Sequence, residues 1–357
     1  MSERIRKLRS ILHAEQLDAL LVSDPLHIRY LTGFSGDSGW ALVGPEKTFL
    51  ITDFRYEEQA RIEAPDSDLF IAKNGFVEKM AELAPEDTGH RIGFEEVHLP
   101  HQAYKKLGAH LSHAQWIAQD GLVERLSIVK DAQEIAHIRE AVRIGDRVFG
   151  QMLPLLKPGV TERDIAAEID YAIRKQSAEG PSFEAIVASG PRASMPHATV
   201  SDRTLGSGDL VILDFGAVFG GYASDMTRTL VIGAPTVQQR AVYEIVLRAQ
   251  EAAIAAAKAG LPCAELDRIA RTIIEDACYG PQFGHSLGHG VGLNVHEQPR
   301  LSSKSDQVLE PGMVITIEPG IYIPGWGGIR IEDLVVIQPD GCENLTTAPK
   351  GLELRNA

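Results

Sequence analysis

Cysteine is scarce: the 357 residues contain three, Cys263, Cys278 and Cys342, none of them in a CxxC pair. So odd and widely spaced a set supports neither a disulfide framework nor a thiolate zinc site, and it fits a reducing compartment, here the cytoplasm. Cys263 and Cys278 fall in an amphipathic stretch and read as packing residues rather than nucleophiles. No apolar run approaches the roughly 18 residues of a membrane-spanning helix. Basic residues are in deficit, 35 against 49 acidic ones, for a formal charge of −14. General binding to nucleic acid or anionic membrane, which needs clustered Lys and Arg, is therefore excluded. The basic start, with Arg4, Arg6, Lys7 and Arg9, lacks the continuous apolar stretch of a secretory signal. Ile5, Leu8 and Leu12 stand there at helical spacing and predict a first structural helix instead of a transit peptide.

What is present is ample material for a core, 44% hydrophobic and 24% charged residues, in a chain long enough for two domains. Up to about residue 120 short segments alternate. Leu17–Val22, Trp40–Val43, Thr48–Thr52, Leu69–Ala72 and Arg91–Phe94 read as strands, and Glu3–Gln16 and Arg55–Glu63 as helices, without a chemical cluster. A long helix is expected to open at Asp131, with Glu134 in capping-box spacing and Ile135, Ile138, Val142 and Phe149 along one face. It must end by Pro154, which lacks the amide hydrogen. The domain boundary is placed between Gly121 and Asp131, giving domains 1–125 and 126–357.

The second region contains an internal repeat. Lys157-Pro158-Gly159-Val160 precedes an amphipathic helix, as does Lys258-Ala259-Gly260-Leu261; the strand Gly208–Gly216 resembles Gly312–Gly320. Between the copies a helix capped by Thr236 and Gln239 ends before Gly260. Two similar αβ halves about a pseudo-two-fold axis are implied. In each half an apolar strand carries an acid where the core should be. A hairpin centred between Phe219 and Gly220 sets Asp214 opposite Asp225, and a register slipped by two leaves them diagonal on one face. A loop centred on Gly325 sets Glu318 opposite Glu332; one centred on Trp326 makes them diagonal. Acids converging on a buried face are costly unless a cation neutralises them.

Histidines add to the cluster. His285, His289 and His296 lie in the glycine-rich segment Gly284–Glu297, and His197 precedes the first hairpin as His296 precedes the second. Gly288 and Gly290 around His289 argue against a helical HExxH zinc site. Four carboxylates and one imidazole make a hard, oxygen-rich donor set, suited to Mn(II), Co(II) or Fe(II), with Zn(II) also possible, rather than a tetrahedral structural zinc. Four acids are too many for a single catalytic ion with open positions. Two ions roughly 3.5–4 Å apart fit the inventory.

These motifs, Asp214-Phe215-Gly216, Ser224-Asp225-Met226-Thr227-Arg228-Thr229, His285-xxx-His289-Gly290-Val291-Gly292, Val295-His296-Glu297, Glu318-Pro319-Gly320 and Arg330-Ile331-Glu332-Asp333, resemble the pita-bread metallopeptidases, in the branch of aminopeptidase P and Xaa-Pro dipeptidase (prolidase). The resemblance covers 131–357, and Tyr30-Leu31-Thr32-Gly33-Phe34 resembles the smaller creatinase-type domain of the same proteins. It implies an α+β fold: an N-terminal creatinase-like α/β domain, then a curved antiparallel sheet covered by helices from both pseudo-symmetric halves. It implies Asp214, Asp225, His289, Glu318 and Glu332 as metal ligands, with Asp225 and Glu332 bridging two ions, Asp214 on one, and His289 and Glu318 on the other. His197, His285, His296 and Arg330 would surround the substrate.

The chemistry implied is hydrolysis of the bond before proline by a metal-bridging hydroxide, with His296 stabilising the oxyanion, His197 orienting the proline side and Glu318 moving the proton. The substrates would be proline-containing peptides and the assembly a homodimer. Tyr30–Phe34 and its glycine-rich continuation lean toward aminopeptidase P, with Xaa-Pro dipeptidase as the alternative. A creatinase-type amidinohydrolase, which works without the metals, or a non-catalytic peptide-binding relative need not keep all five ligands, which this chain does.

Overall fold

The computed structural model describes residues 3–83 and 91–353, and the chain divides into two compact units, Met1–Ser127 and Ile128–Ala357. The first unit is built on a six-stranded mixed sheet. Its strands are β1 (Ala19–Val22), β2 (Gly39–Val43), β3 (Thr48–Thr52), β4 (Asp68–Ile71), β5 (Arg91–Glu95) and β6 (Gln115–Gln119), in spatial order β4-β3-β2-β1-β5-β6. β1–β2 and β2–β3 are antiparallel, while β1–β5, β3–β4 and β5–β6 are parallel. The apolar residues that mark these strands in the sequence, Leu21, Leu42, Ile51 and Ile92 among them, form one buried cluster.

The first helix, Glu3–Ala14, buries Ile5, Leu8 and Leu12, as their spacing predicts. It stops short of the expected Gln16, which adopts φ 57°. The expected helix 55–63 is split into a 3-10 turn, Phe54–Tyr56, and an α-helix, Glu57–Glu63. Helices Phe76–Leu83 and His101–His110, and strand β6, were not anticipated. Neither was Pro25–Thr32, although its signals are all in the sequence. The Asp24 side chain accepts from the Leu26 amide, Pro25 opens the first turn, and Gly33 at φ 89° closes the helix by donating to the Arg29 carbonyl.

In the second unit the long helix Ala132–Met152 opens on the Asp131/Glu134 capping box and gives way to a 3-10 turn containing Pro154. Ile138, Val142 and Phe149 are buried, but Ile135 is only half-buried. The Thr236/Gln239 box caps Val237–Ala256. Duplication is visible as a duplicated hydrogen-bond pattern. The Gly159 amide donates to the Leu205 carbonyl and the Gly260 amide to that of Leu309; the Gly208 amide donates to Ile232 and the Gly312 amide to Ile337. All four glycines adopt the left-handed conformation, with φ of 92°, 81°, 84° and 89°, which other residues adopt only at a cost. In each copy a helix (Glu162–Lys175, Cys263–Asp276) precedes a strand (Leu210–Phe215, Val314–Ile317) that pairs antiparallel with its return (Met226–Val231, Asp333–Gln338).

A mixed-sheet unit followed by antiparallel ribbons with helices makes the chain α+β. Cys263 is buried in the core of the second half, whereas Cys278 lies beyond the helix end and is exposed, so it does not pack as expected. No helix among the described residues is long and apolar enough to cross a membrane.

Candidate metal centre

The two acidic ribbons meet their expected registers differently. In the first, Thr227 stands opposite Asp214 and Met226 opposite Phe215, so direct opposition of Asp214 and Asp225 does not occur; they are diagonal neighbours on one face. The reason is the turn. Gly220 and Gly221 have φ 59° and 81° and supply both central positions of a two-residue turn closed by Phe219 and Tyr222. A turn centred one residue earlier would force Phe219 into the left-handed region. In the second ribbon Ile317 faces Asp333 and Gly320 faces Arg330. Glu318 and Glu332 thus oppose each other where the ladder opens between its two segments, as a loop centred on Gly325 requires.

His289 reaches the same place from the short strand Gly288–Gly290, which bulges between His289 and Gly290. A side chain on Gly288 would lie 2.1 Å from the Thr316 carbonyl oxygen, and one on Gly290 2.1 Å from that of Gln298. Only glycine lets this strand pass so close, and the bulge aims the imidazole. Its Nε2 lies 3.2 Å from Glu318 Oε1 and 3.7 Å from Asp225 Oδ2.

Three overlapping groups of donor atoms result: Asp214, Asp225 and Glu332; His289, Glu318 and Glu332; and Asp225, His289 and His296, each within 4.8 Å. All five expected ligands are thereby linked. Asp225 and Glu332 each belong to two groups. His296 joins at the exposed edge, its ring 4.4 Å from that of His289.

Electrostatics shows what this convergence costs. Burial, then the field of Glu332 and Asp214, holds Asp225 well above the usual carboxylate range; burial and Glu318 do the same to Glu332, and burial raises Asp214 despite Arg330. Glu318 moves the other way: burial would raise it, but the hydrogen bond and charge of His289 pull it down to about 2. His289, whose burial opposes a charge, is raised by Glu318. Asp214 Oδ1, Asp225 Oδ1 and Glu332 Oε1 are buried with no hydrogen-bond partner among the described residues. Orphaned carboxylate oxygens aimed into a shared space, with Arg330 and one imidazole as counter-charges, fit divalent cations.

Arg330 is 4% exposed. It donates to Asp214 Oδ2 at 2.5 Å and to the Tyr322 hydroxyl at 2.8 Å, and that hydroxyl lies 3.0 Å from His285 Nε2. Burial pushes Tyr322 up to about 12 and lowers His285. His197 is exposed but close enough for its charge to lower both His285 and His296.

Three polar neighbours escaped the sequence reading. Thr227 Oγ1 donates to Glu332 Oε2 at 2.6 Å and accepts from Arg330 Nε. Thr316 Oγ1 donates to Glu318 Oε1 and accepts the His289 amide. Tyr322 is the third. Strand alternation could have found them, since Thr227 shares a face with Asp225, and Thr316 and Tyr322 with Glu318.

Comparison with known proteins places the chain in a family. Residues 136–339 match the model of Metallopeptidase family M24, and residues 4–129 that of the Creatinase/Prolidase N-terminal domain. The chain is 38% identical to an Xaa-Pro dipeptidase of Pyrococcus furiosus, over 99% of this chain and 100% of that one. Among solved structures it resembles an Xaa-Pro dipeptidase from Bacillus anthracis (TM-score 0.95, 40% identity, 98% of this chain and 99% of that one). It also resembles an X-Pro aminopeptidase from Thermotoga maritima (TM-score 0.91, 37% identity, 98% and 99%). With the catalytic model spanning more than half its length, the chain belongs to metallopeptidase family M24 and carries the family's creatinase/prolidase-type N-terminal domain.

Proposed function

We propose that this enzyme is an Xaa-Pro dipeptidase (prolidase) acting through two divalent ions, Mn(II) first among them given the oxygen-rich donors. The observation that carries the reading is the joined set Asp214, Asp225, His289, Glu318 and Glu332 with its three orphaned oxygens. Asp225 and Glu332, the two carboxylates that recur in more than one donor group, would hold the ions together with Asp214, His289 and Glu318. Ions held there would supply Lewis acidity and a water activated near neutral pH.

The chain's own residues do the rest. Glu318 would take a proton from the attacking water. Glu318 then passes it to the proline nitrogen. That nitrogen has no hydrogen as a tertiary amide and leaves as a secondary amine. His296 donates to the carbonyl oxygen as negative charge develops, and His197 orients the proline side. Arg330, fixed between Asp214 and Tyr322, works against the burial that raises Asp214, and Tyr322 ties Arg330 to His285.

The lean toward aminopeptidase P rests on Tyr30–Phe34 and its glycine-rich continuation. Tyr30–Gly33 is the capped end of a helix, a role that needs no substrate. Relatives named as dipeptidases favour the shorter substrate; the similar X-Pro aminopeptidase keeps the second reading in play. The domain division 1–125 and 126–357 and the homodimer remain parts of the proposal, the latter tested by light scattering. The deciding experiment strips the protein with EDTA, reloads it with Mn(II), counts metal per chain and compares Ala-Pro with Ala-Pro-Ala. Metal-restored hydrolysis with higher kcat/KM on the dipeptide supports the proposal. Preference for the tripeptide makes the enzyme an aminopeptidase P, and no hydrolysis of either rejects the function.

A further inference from the structure

The first unit contains a second convergence of metal-type donors, which shares no residue with the carboxylate centre. Asp24 and His27 stand three residues apart at the start of helix Pro25–Thr32, and Glu95 and His98 stand three apart at the end of β5. The parallel pairing of β1 with β5 brings the two pairs together. Asp24 Oδ2 lies 3.2 Å from His98 Nε2 and 3.8 Å from His27 Nδ1, and the three side chains form a group of donors within 4.8 Å. Zinc bonds of about 2.0 Å at tetrahedral angles set neighbouring donors roughly 3.3 Å apart, so these atoms already stand close to three corners of such a site.

The division of labour within each carboxylate points the same way. Asp24 spends Oδ1 on the helix amide of Leu26, leaving Oδ2 for the imidazoles. Glu95 spends Oε2 on the amides of Ser23 and Asp24, leaving Oε1 2.5 Å from His27 Nδ1. Asp24, His27 and Glu95 are 5%, 2% and 6% exposed. Two buried carboxylates thus face two imidazoles, and no Lys or Arg of the described residues pairs with either acid; Glu124 adds further negative field at His27. Such a pair needs positive charge that the fixed side chains do not supply. A proton on His27, shared with Glu95, is one way to provide it. A dication is the other, and it would displace that proton while Glu95 Oε1 turns to become a fourth donor.

We propose that Asp24, His27 and His98, with Glu95 as the fourth donor, form a zinc site that pins helix Pro25–Thr32 to the end of β5 within the N-terminal unit. Two imidazoles and carboxylates in a closely spaced set suit Zn(II), whereas the oxygen-rich centre of the second unit suits harder ions. His98, 36% exposed on its side chain, is the open door through which the ion enters.

The test uses the full chain with the carboxylate centre disabled by D225N and E332Q, so that zinc bound elsewhere is read alone. After equilibrium dialysis against Zn(II), elemental analysis should find one zinc per chain, and adding His98→Ala should remove it while circular dichroism stays unchanged. Because His98 sits at the surface, its loss is expected to leave the fold intact. Asp24→Asn, which retains the helix cap, provides a second variant and should weaken binding at least tenfold. Co(II) loaded in place of zinc should show the intense visible bands of tetrahedral coordination, absent after His98→Ala. Equal zinc with and without His98, or no zinc in either chain, overturns the proposal. Neither result bears on the peptidase reading, two of whose five ligands are already replaced in every chain compared.

Discussion

At the scale of single residues the centre separates groups that hold charge from groups that donate hydrogen bonds. His296 is proposed as one of the second kind. Burial and the neighbouring His289 lower its pKa, which favours an uncharged imidazole able to present an N–H to a carbonyl oxygen. Replacing His296 by Ala is therefore expected to lower kcat by about 10²–10³, the cost of one oxyanion donor in other hydrolases, while metal content per chain stays constant. His197→Ala should act chiefly on KM for the proline-containing substrate. Steady-state kinetics on Ala-Pro with parallel metal analysis separates the two roles. An unchanged kcat in the His296 variant would remove it from the chemistry.

At the scale of elements, what the sequence revealed follows from what local rules can decide. Capping boxes at Asp131 and Thr236 and the paired glycines at 159/260 and 208/312 are short-range signals, and the structure realises each. The acids of the second ribbon had two loop centres open to them in the sequence, and the ladder takes the one on Gly325. The first ribbon left two registers open, since the choice depends on which residues accept positive φ, and the Gly220-Gly221 pair decides it. Hidden from local rules were contacts made only by tertiary approach, of which Lys130–Glu297 is the clearest. Lys130, 1% exposed on its side chain, lies 3.0 Å from Glu297 Oε2; Glu297 Oε1 accepts the Asn294 amide, closing the turn that carries His296. A side chain on Gly292 would sit 2.7 Å from Lys130 Cε, so that glycine admits the lysine. Lys130→Met strands a largely buried carboxylate and should cost about 3–5 kcal/mol in urea unfolding. The double variant Lys130→Met/Glu297→Gln, which removes both charges, should recover much of that loss. Equal destabilisation in single and double variants would mean that the ion pair is not what anchors this turn.

At the scale of the whole molecule, the carboxylate centre makes stability depend on metal and pH together. Asp225 and Glu332 have folded-state pKa values well above their ordinary ones, Asp214 a raised one, for burial and mutual repulsion. A carboxyl raised on folding binds its proton more tightly in the native chain. Its contribution is fully present below the unfolded value, about 4, and is lost as pH rises through the folded value. In EDTA these three groups should therefore stabilise the protein progressively as pH falls through their raised folded values toward the ordinary carboxylate range, about 4, opposite to the usual acid response. Groups such as Asp333, held low by Arg228 and Lys350 against its own burial, reverse the trend only at pH near or below the carboxylate range. Bound divalent ions replace those protons and hold the acids ionised, so the Mn(II)-loaded protein should lose stability over the same interval as protons compete for the ligands. Thermal melts at stepped pH, with EDTA and with saturating Mn(II), are expected to give slopes of opposite sign that converge on the acid side, where metal no longer binds. Parallel slopes would show that the three orphaned oxygens do not share a cation.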